Sequence, residues 1–200
     1  PSNMLFHNGN AFERDGNIVL DTFLQPDGSV LKTLHSLDQY GNVPSLEDPT
    51  EFTRVVLDPK KGELVERIQL AEDQDLPRFD IRLSGKEARH LWVAGGSPEN
   101  DPLRFEHIIR HDLSGGQPVI AKAGKARTFG EAIFIPQEGP KSENHGWILN
   151  QVYDGDRNET CLEIRDASTL ELQARAWTGN HLPLGFHGNF MPNWFVDQPA

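Results

Sequence analysis

The sequence is poor in cysteine and has no long hydrophobic run. Cys161 is the only cysteine among 200 residues, which excludes an internal disulfide and a metal site built from cysteine thiolates. No apolar stretch reaches the roughly 20 residues that a membrane-spanning helix needs, and no signal peptide is recognisable. These features predict a cytoplasmic protein with no membrane contact visible in this part of the chain.

Positive charge is also scarce. The 19 lysines and arginines are scattered and are outnumbered by 30 aspartates and glutamates, for a net charge of -11. A surface for nucleic acid needs clustered basic residues that neutralise phosphates, so that class of partner is excluded. Hydrophobic residues make up 36% of the chain, enough for one sizeable core, and we expect residues 1–200 to form a single domain that acts on an uncharged partner.

Three segments have the pattern of a β-hairpin, in which two apolar runs flank a polar turn. They cover residues 55–65, 108–116 and 162–170, and their turns begin at Asp58, Asp112 and Asp166. The aspartates are 54 positions apart both times. Equal spacing of the same supersecondary unit indicates an internal repeat.

The repeat length and its strand-like segments are typical of the four-stranded blades of a β-propeller. We therefore predict an all-β fold with three blades, over residues 6–70, 76–123 and 129–177, and the start of a fourth at Leu184. Residues 25–51 form a long insertion in the first unit, and loops of that length are usually functional or flexible.

Four polar residues occupy equivalent positions in successive units. Asp75, Glu131 and His187 follow one another at intervals of 56 residues, each at the predicted start of a first strand, and His7 holds the equivalent place in the first unit. The innermost strands of a propeller line its axis, so these side chains are expected to converge. Two imidazoles could bind a metal there, with the carboxylates as further ligands or as acceptors that orient the rings. Polar residues hydrogen-bonded to water are the alternative interpretation.

The remaining histidines are expected to be solvated or locally hydrogen-bonded, in turns or at strand edges: His35, His90, His107, His111, His145 and His181. Most of the aromatic residues near the motifs are expected in the core, with a few lining an apolar tunnel: Phe6, Phe12, Phe129, Phe134, Trp147, Phe186, Phe190 and Trp194. No His-Glu-x-x-His, phosphate-binding glycine loop or Gly-x-Ser-x-Gly motif occurs, so other common catalytic arrangements lack support.

Five stretches resemble the carotenoid cleavage oxygenases, in the order in which that family has them. They run from one end of the chain to the other, which makes the resemblance specific, and they cover residues 6–13, 77–85, 130–136, 146–149 and 183–188. The resemblance implies a seven-bladed β-propeller with a non-haem iron(II) on its axis, held by four histidines, three of which are hydrogen-bonded to glutamates.

By position, His7 resembles the third iron ligand of the family, His187 the fourth, and Glu131 one of the supporting glutamates. Asp75 stands where the family usually has glutamate, one methylene longer. The first two histidine ligands have no counterpart, so the chain resembles the C-terminal portion of a longer member, covering well under half of it.

The implied reaction is the cleavage of a carbon–carbon double bond with O2, giving two carbonyl products from a carotenoid, apocarotenoid or stilbene-type substrate. Four neutral imidazoles suit iron(II) and leave coordination positions open for O2, while an apolar cavity orients the substrate. A noncatalytic propeller that binds a partner and a metal-dependent propeller hydrolase remain as alternatives. The first would lack the metal, and the second would use carboxylates as direct ligands and would not need O2.

Overall fold

The computed structural model describes residues 3–35, 49–97, 104–183 and 185–192. Its β-strands form three antiparallel sheets of four strands each, and in every sheet the strands lie side by side in chain order. The first sheet contains β1 Met4–Arg14, β2 Asn17–Gln25, β3 Glu51–Asp58 and β4 Glu63–Glu72. The second contains β5 Gln74–Arg78, β6 His90–Gly95, β7 His107–Asp112 and β8 Gly116–Lys122. The third contains β9 Arg127–Pro136, β10 Gly146–Asp154, β11 Glu159–Asp166 and β12 Leu172–Trp177.

This arrangement confirms the predicted all-β class and its division into three units of four strands. Each hairpin predicted around a turn aspartate is present, since β3 pairs with β4, β7 with β8 and β11 with β12. The predicted start of a fourth unit, at Leu184, lies outside the described residues. The described residues 185–192 continue as an irregular segment.

The three turn aspartates have the same local role. The carboxylate of Asp58 accepts the backbone N–H of Lys60 at 2.9 Å, and that of Asp112 accepts the N–H of Ser114 at 3.1 Å. Asp166 accepts two such donors, from Ser168 and Thr169. A short acidic side chain that satisfies backbone donors two or three residues later favours a turn, which explains why aspartate recurs at this point of the repeat.

The sheets pack face to face, with the second sheet in the middle. Between the first two sheets, the ring of Phe23 stacks on that of Phe52 at 4.7 Å, beside Leu91 and Val93. Because the middle sheet is covered on both sides, every residue of β6 is buried. This strand accordingly shows a continuous apolar run instead of alternation.

The core between the second and third sheets is organised around Trp92. Its ring stacks on Phe134 at 4.6 Å, and its indole N–H donates to the carbonyl of Ala167 at 3.0 Å. Strand β10 of the third sheet, on the other side of this core, alternates strictly between buried and partly exposed residues. This is the pattern expected of a strand that is covered on one face. Apart from Phe129, the rest of this core is small or aliphatic: Ile108, Ala121, Ala123, Ala132, Ile148, Val152, Cys161, Ala167 and Leu170.

In its described part, the predicted insertion between β2 and β3 contains a short helix, α1 Ser29–His35. The side-chain amide of Gln25 donates to the hydroxyl of Thr50, so the two ends of the insertion meet. Residues 36–48 of the insertion lie outside the described residues. Among those that are described, no helix is long and apolar enough to cross a membrane.

Several single-residue expectations need correction. His90 is only 5% exposed, and its Nδ1 lies 2.9 Å from the Arg110 guanidinium. Burial lowers the pKa of His111 to about 4, and its Nε2–H donates to the Gln74 side chain at 2.6 Å. Both imidazoles lie on packed strands, His90 buried and His111 partly buried, and their hydrogen bonds fit the locally bonded alternative and not the solvated one. Three of the aromatic residues expected mostly in the core are exposed: Phe6, Phe186 and Phe190. Trp194 lies outside the described residues.

Candidate metal centre

The first strands of the three sheets lie next to one another, and they bring the predicted polar residues together. His7 lies on β1, Asp75 on β5 and Glu131 on β9. His187 comes from the irregular segment after the third sheet. Two of these placements differ from the expected strand start, because Glu131 is in the middle of β9 and His187 lies on no described strand. The side chains nevertheless meet at one point.

The two histidines face each other through the same ring nitrogen. Nε2 of His7 lies 3.2 Å from Nε2 of His187, although the residues are 180 positions apart. The ring planes are inclined by 78°. His7 is mostly covered, with 21% of its side chain exposed, whereas His187 is 53% exposed. The pair therefore lies at the rim where the sheets meet and is open on the side of His187.

Each histidine uses its other ring nitrogen to contact a carboxylate. Nδ1 of His7 is 2.7 Å from Oδ1 of Asp75, and Nδ1 of His187 is 3.0 Å from Oε1 of Glu131. Carboxylates cannot donate when ionised, so each Nδ1 carries the proton and each Nε2 presents a lone pair. This arrangement of carboxylate, Nδ1–H and free Nε2 is that of metal-binding histidines supported by an acceptor.

Asp75 reaches His7 despite its short side chain because the backbone bends at this position. Leu76 adopts a left-handed conformation with φ of 53°, and the pairing of β5 with β6 shifts register between Asp75 and Arg78. The same Oδ1 that contacts His7 also accepts the N–H of Leu76 at 2.8 Å. A non-glycine residue in this region costs on the order of 1 kcal/mol or more, and the bend holds the carboxylate against the ring.

Glu131 is the more deeply enclosed carboxylate, with 6% of its side chain exposed. Besides His187, it binds the guanidinium of Arg78 at 2.7 Å and accepts the backbone N–H of Gly188 at 2.9 Å. Burial alone would raise the pKa of Glu131, but these three donors together lower it below its usual value. Arg78 and the N–H of Gly188 were not identified as site groups from the sequence. The only signal was an arginine three residues after Asp75.

The pKa of His7 shifts in the opposite sense. The hydrogen bond to Asp75 raises the pKa of His7 above its usual value, although burial acts to lower it. In the absence of a metal, a proton on Nε2 of His7 would satisfy the lone pair of His187 across the gap. A metal ion would have to displace that proton, since metal ligation uses the neutral imidazole.

The described residues supply two nitrogen ligands at this centre and no more. Over the four described ranges, no group of three or more histidine, cysteine, aspartate or glutamate side chains could hold a metal ion. The distance between the two Nε2 atoms nevertheless fits a shared metal ion. Metal–imidazole bonds of about 2.0–2.1 Å at right angles place two nitrogens about 3 Å apart.

Fold and centre together define a class: an all-β protein in which consecutive sheets bring a carboxylate-supported histidine pair to one point. The chain belongs to the carotenoid cleavage oxygenase family, because residues 1–192 match the family described as "Retinal pigment epithelial membrane protein". This match confirms the resemblance seen in the sequence motifs.

Curated relatives match over most of the chain. Apocarotenoid-15,15'-oxygenase of Synechocystis sp. is 25% identical over 192 residues, which are 93% of this chain and 38% of that protein. The chromoplastic zeaxanthin 7,8(7',8')-cleavage dioxygenase of Crocus sativus is 26% identical over 199 residues, 96% of this chain and 52% of that protein. The chain therefore spans about half or less of the length of these two relatives.

The fold also matches solved structures. The crystal structure of cobalt-substituted Synechocystis ACO aligns with a TM-score of 0.79 at 24% identity, covering 92% of this chain and 38% of that one. At this identity the likeness establishes the fold alone.

Proposed function

We propose that the protein is a non-haem iron(II) oxygenase that cleaves a carbon–carbon double bond of an apolar polyene with O2. The substrate gains one oxygen atom at each carbon of the broken bond, and two carbonyl products leave. Membership of the family and the names of the relatives, which act on carotenoids and apocarotenoids, support a substrate of this type. A stilbene-type substrate rests on the resemblance of the sequence motifs alone.

The observation that carries the proposal is the pair of facing Nε2 atoms at 3.2 Å. Both Nδ1 atoms are committed to carboxylates, so two nitrogen lone pairs point at each other across that gap. A cation bound by both nitrogens would relieve the repulsion between the lone pairs, and two neutral imidazoles are suitable ligands for iron(II). The donor set therefore fits the metal that the family resemblance implies.

Each residue at the centre has a distinct task. His7 and His187 bind the metal through Nε2, while Asp75 and Glu131 hold the Nδ1 protons and so fix the ring orientations. Iron(II) held by these residues would supply open coordination positions for O2 beside the substrate double bond. Phe6 and Phe186, the neighbours of the two histidines, are 40% and 57% exposed and offer apolar surface to a polyene.

The centre needs more ligands than the described residues provide. We propose that two further histidines complete a set of four in the whole protein, as the family resemblance implies, and that the three sheets are consecutive blades of a seven-bladed propeller. The chain matches the fold of a solved structure and covers 38% of it, which supports the proposal that the three sheets are part of a larger propeller. The cytoplasmic location expected from the sequence stays a prediction.

The geometry favours an oxygenase over the two alternatives. A propeller hydrolase would need carboxylates as direct metal ligands, but Asp75 and Glu131 are occupied by Nδ1–H groups and backbone N–H donors. A noncatalytic binding module would have no need for two imidazoles held with their lone pairs facing. Neither alternative accounts for the carboxylate behind each ring.

The test is cleavage by the purified whole protein, reconstituted with iron(II) under anaerobic conditions. An apocarotenal of defined length is added, O2 is admitted, and the products are separated and weighed by mass spectrometry. We expect two carbonyl products that appear only with both iron and O2, and 18O from labelled O2 in both fragments. Activity without O2, or with a metal-free protein, would contradict the proposed chemistry.

A further inference from the structure

Arg78 links three parts of the centre without touching either facing nitrogen. We propose that Arg78 is a positioning residue, which holds Glu131 and the backbone after His187 in the geometry that aims Nε2 of His187 at the metal. The role deepens the proposed function and rests on it, because it concerns ligation of the metal by His187.

The contacts of Arg78 cross from one sheet to the next. Arg78 lies at the end of β5 in the second sheet, and its Nη2 donates to Oε2 of Glu131 on β9 of the third sheet at 2.7 Å. The same Nη2 donates to the carbonyl of Gly188 at 2.6 Å. Nη1 lies 3.5 Å from the side-chain oxygen of Asn189. One guanidinium thus joins two sheets and the irregular segment that carries His187.

Glu131 and the segment are also joined to each other. Oε2 of Glu131 accepts the N–H of Gly188, while Oε1 faces Nδ1 of His187. The carboxylate therefore contacts both the ring and the backbone one residue later, and Arg78 closes this loop through the carbonyl of Gly188. The segment approaches β9 so closely that a Cβ at position 188 would lie 3.0 Å from Cδ1 of Ile133.

His187 depends on these contacts because no described strand carries it. His7 is fixed by backbone pairing within the first sheet, where it lies opposite Phe23. His187 has no such ladder and is 53% exposed. The hydrogen bonds to Glu131 and Arg78 replace the missing strand pairing. Of the two ligands, His187 is thus the one whose position should respond to loss of Arg78.

The choice of arginine follows from the geometry. A guanidinium presents several donors in a rigid plane, whereas a lysine ammonium is a single point on a flexible stem. Lysine at position 78 could reach the carboxylate of Glu131 but could not hold it and the surrounding backbone in one fixed arrangement. Methionine of similar length would remove both contacts and leave Glu131 without its charged partner.

The experiment measures cobalt(II) binding to the metal-free whole protein by anaerobic titration, followed through the cobalt absorption bands. Loss of a partner behind a metal ligand typically weakens metal binding about 10- to 100-fold. We expect Arg78→Met to weaken cobalt binding about tenfold and to change the band pattern, and Arg78→Lys to fall between it and the wild type. Arg14→Met is the matched control, since Arg14 forms an exposed ion pair with Glu87 outside the centre.

A double-mutant cycle with Glu131→Gln separates positioning from general loosening. If Arg78 acts through Glu131, the protein with both changes should bind cobalt no more than about threefold more weakly than Glu131→Gln alone. Thermal unfolding of the metal-free variants, within a few degrees of the Arg14→Met control, shows that the fold is intact. Should Arg78→Met fold poorly, Arg78→Lys is carried through the same cycle.

A metal-free readout reports directly on the ring. The 15N resonances of His187 distinguish the Nδ1–H from the Nε2–H tautomer, and we expect Nδ1–H to dominate in the wild type and to decline in Arg78→Met. Unchanged cobalt affinity, bands and tautomer in Arg78→Met, or losses that multiply in the double variant, would overturn the role of Arg78. A wild-type protein that takes up neither cobalt nor iron would overturn the proposed function itself.

Discussion

The turn aspartates and the central carboxylates recur at almost the same interval in the sequence. The turn aspartates form local hydrogen bonds, whereas the central carboxylates bind residues far away in the chain. Asp58, Asp112 and Asp166 each satisfy backbone donors within three residues of themselves. Asp75 and Glu131 find their histidines 68 and 56 positions away. Regular spacing thus has two physical origins, local turn chemistry at the periphery and the alignment of first strands at the centre.

The comparison predicts where substitutions should be felt. A turn aspartate contributes to the stability of one hairpin, and its loss should leave the distant centre unchanged. A residue of the centre contributes little to the stability of any one sheet. Its loss should therefore weaken metal binding more than it lowers the free energy of unfolding. The following predictions test this division.

The largest effect is expected for His187→Ala. In the whole protein, removal of one of the two described nitrogen ligands at this centre should abolish iron retention and with it the cleavage activity. Iron content after anaerobic reconstitution and product formation are the measurements. His145→Ala is the control, because His145 belongs to a loop before β10 and should retain both; equal iron content and turnover in the two variants would refute the assignment of His187.

Glu131→Gln should weaken the centre without destroying it. The amide keeps the size of the side chain but loses the charge that binds Arg78 and accepts the Nδ1 proton, and losses of this kind cost about 10- to 100-fold in metal affinity or activity. Residual cleavage should remain measurable at saturating iron.

Asp75, the carboxylate that contacts His7, allows a similar test. Asp75→Ala removes the acceptor of the His7 Nδ1–H and should impair iron binding to a similar degree, while Asp75→Glu should be tolerated better. Full iron content and full activity in Asp75→Ala would show that this carboxylate only stabilises the local backbone bend, by accepting the N–H of Leu76.

Acidification should destabilise the protein through the partly buried imidazole of His111, whose pKa is lowered by burial to about 4. A histidine with a folded-state pKa below its unfolded value contributes stability above the unfolded pKa, near 6.5, and loses it as the pH falls. Between pH 7 and 5.5 this group alone should lower the free energy of unfolding by about 1 kcal/mol. Urea unfolding at several pH values gives the free energy of unfolding as a function of pH. This free energy should fall less steeply with falling pH in His111→Asn than in the wild type. An identical pH dependence in the two proteins would mean that His111 does not titrate in this way.

The smallest effect is expected at a turn. Asp166→Ala removes the acceptor of one exposed and one partly buried backbone N–H group. Water can replace the acceptor at least at the exposed group, so we expect a loss of about 0.5–1 kcal/mol in the free energy of unfolding. Iron binding should equal that of the wild type. A larger fall in iron retention than in stability would break the division between periphery and centre.

Much of the fold could be predicted because its signals are local. The hairpins around Asp58, Asp112 and Asp166 follow from turn residues between apolar runs, and the equal spacing showed that the units repeat. Exposure was harder to predict, since His90 and His111 are polar residues whose burial depends on neighbouring sheets packing over them. The division into one domain of residues 1–200 stays a prediction.

The sequence by itself determined the four-stranded units, the family, and the four residues that meet at the centre, because each depends on turn chemistry, repeat spacing or motif. Only the tertiary structure decided what those residues touch. The 3.2 Å approach of two Nε2 atoms, the bend at Leu76 that lets an aspartate reach His7, and the bond from Arg78 to Glu131 all join positions far apart in the chain. No periodicity records such contacts, since they arise only when sheets pack and first strands come side by side.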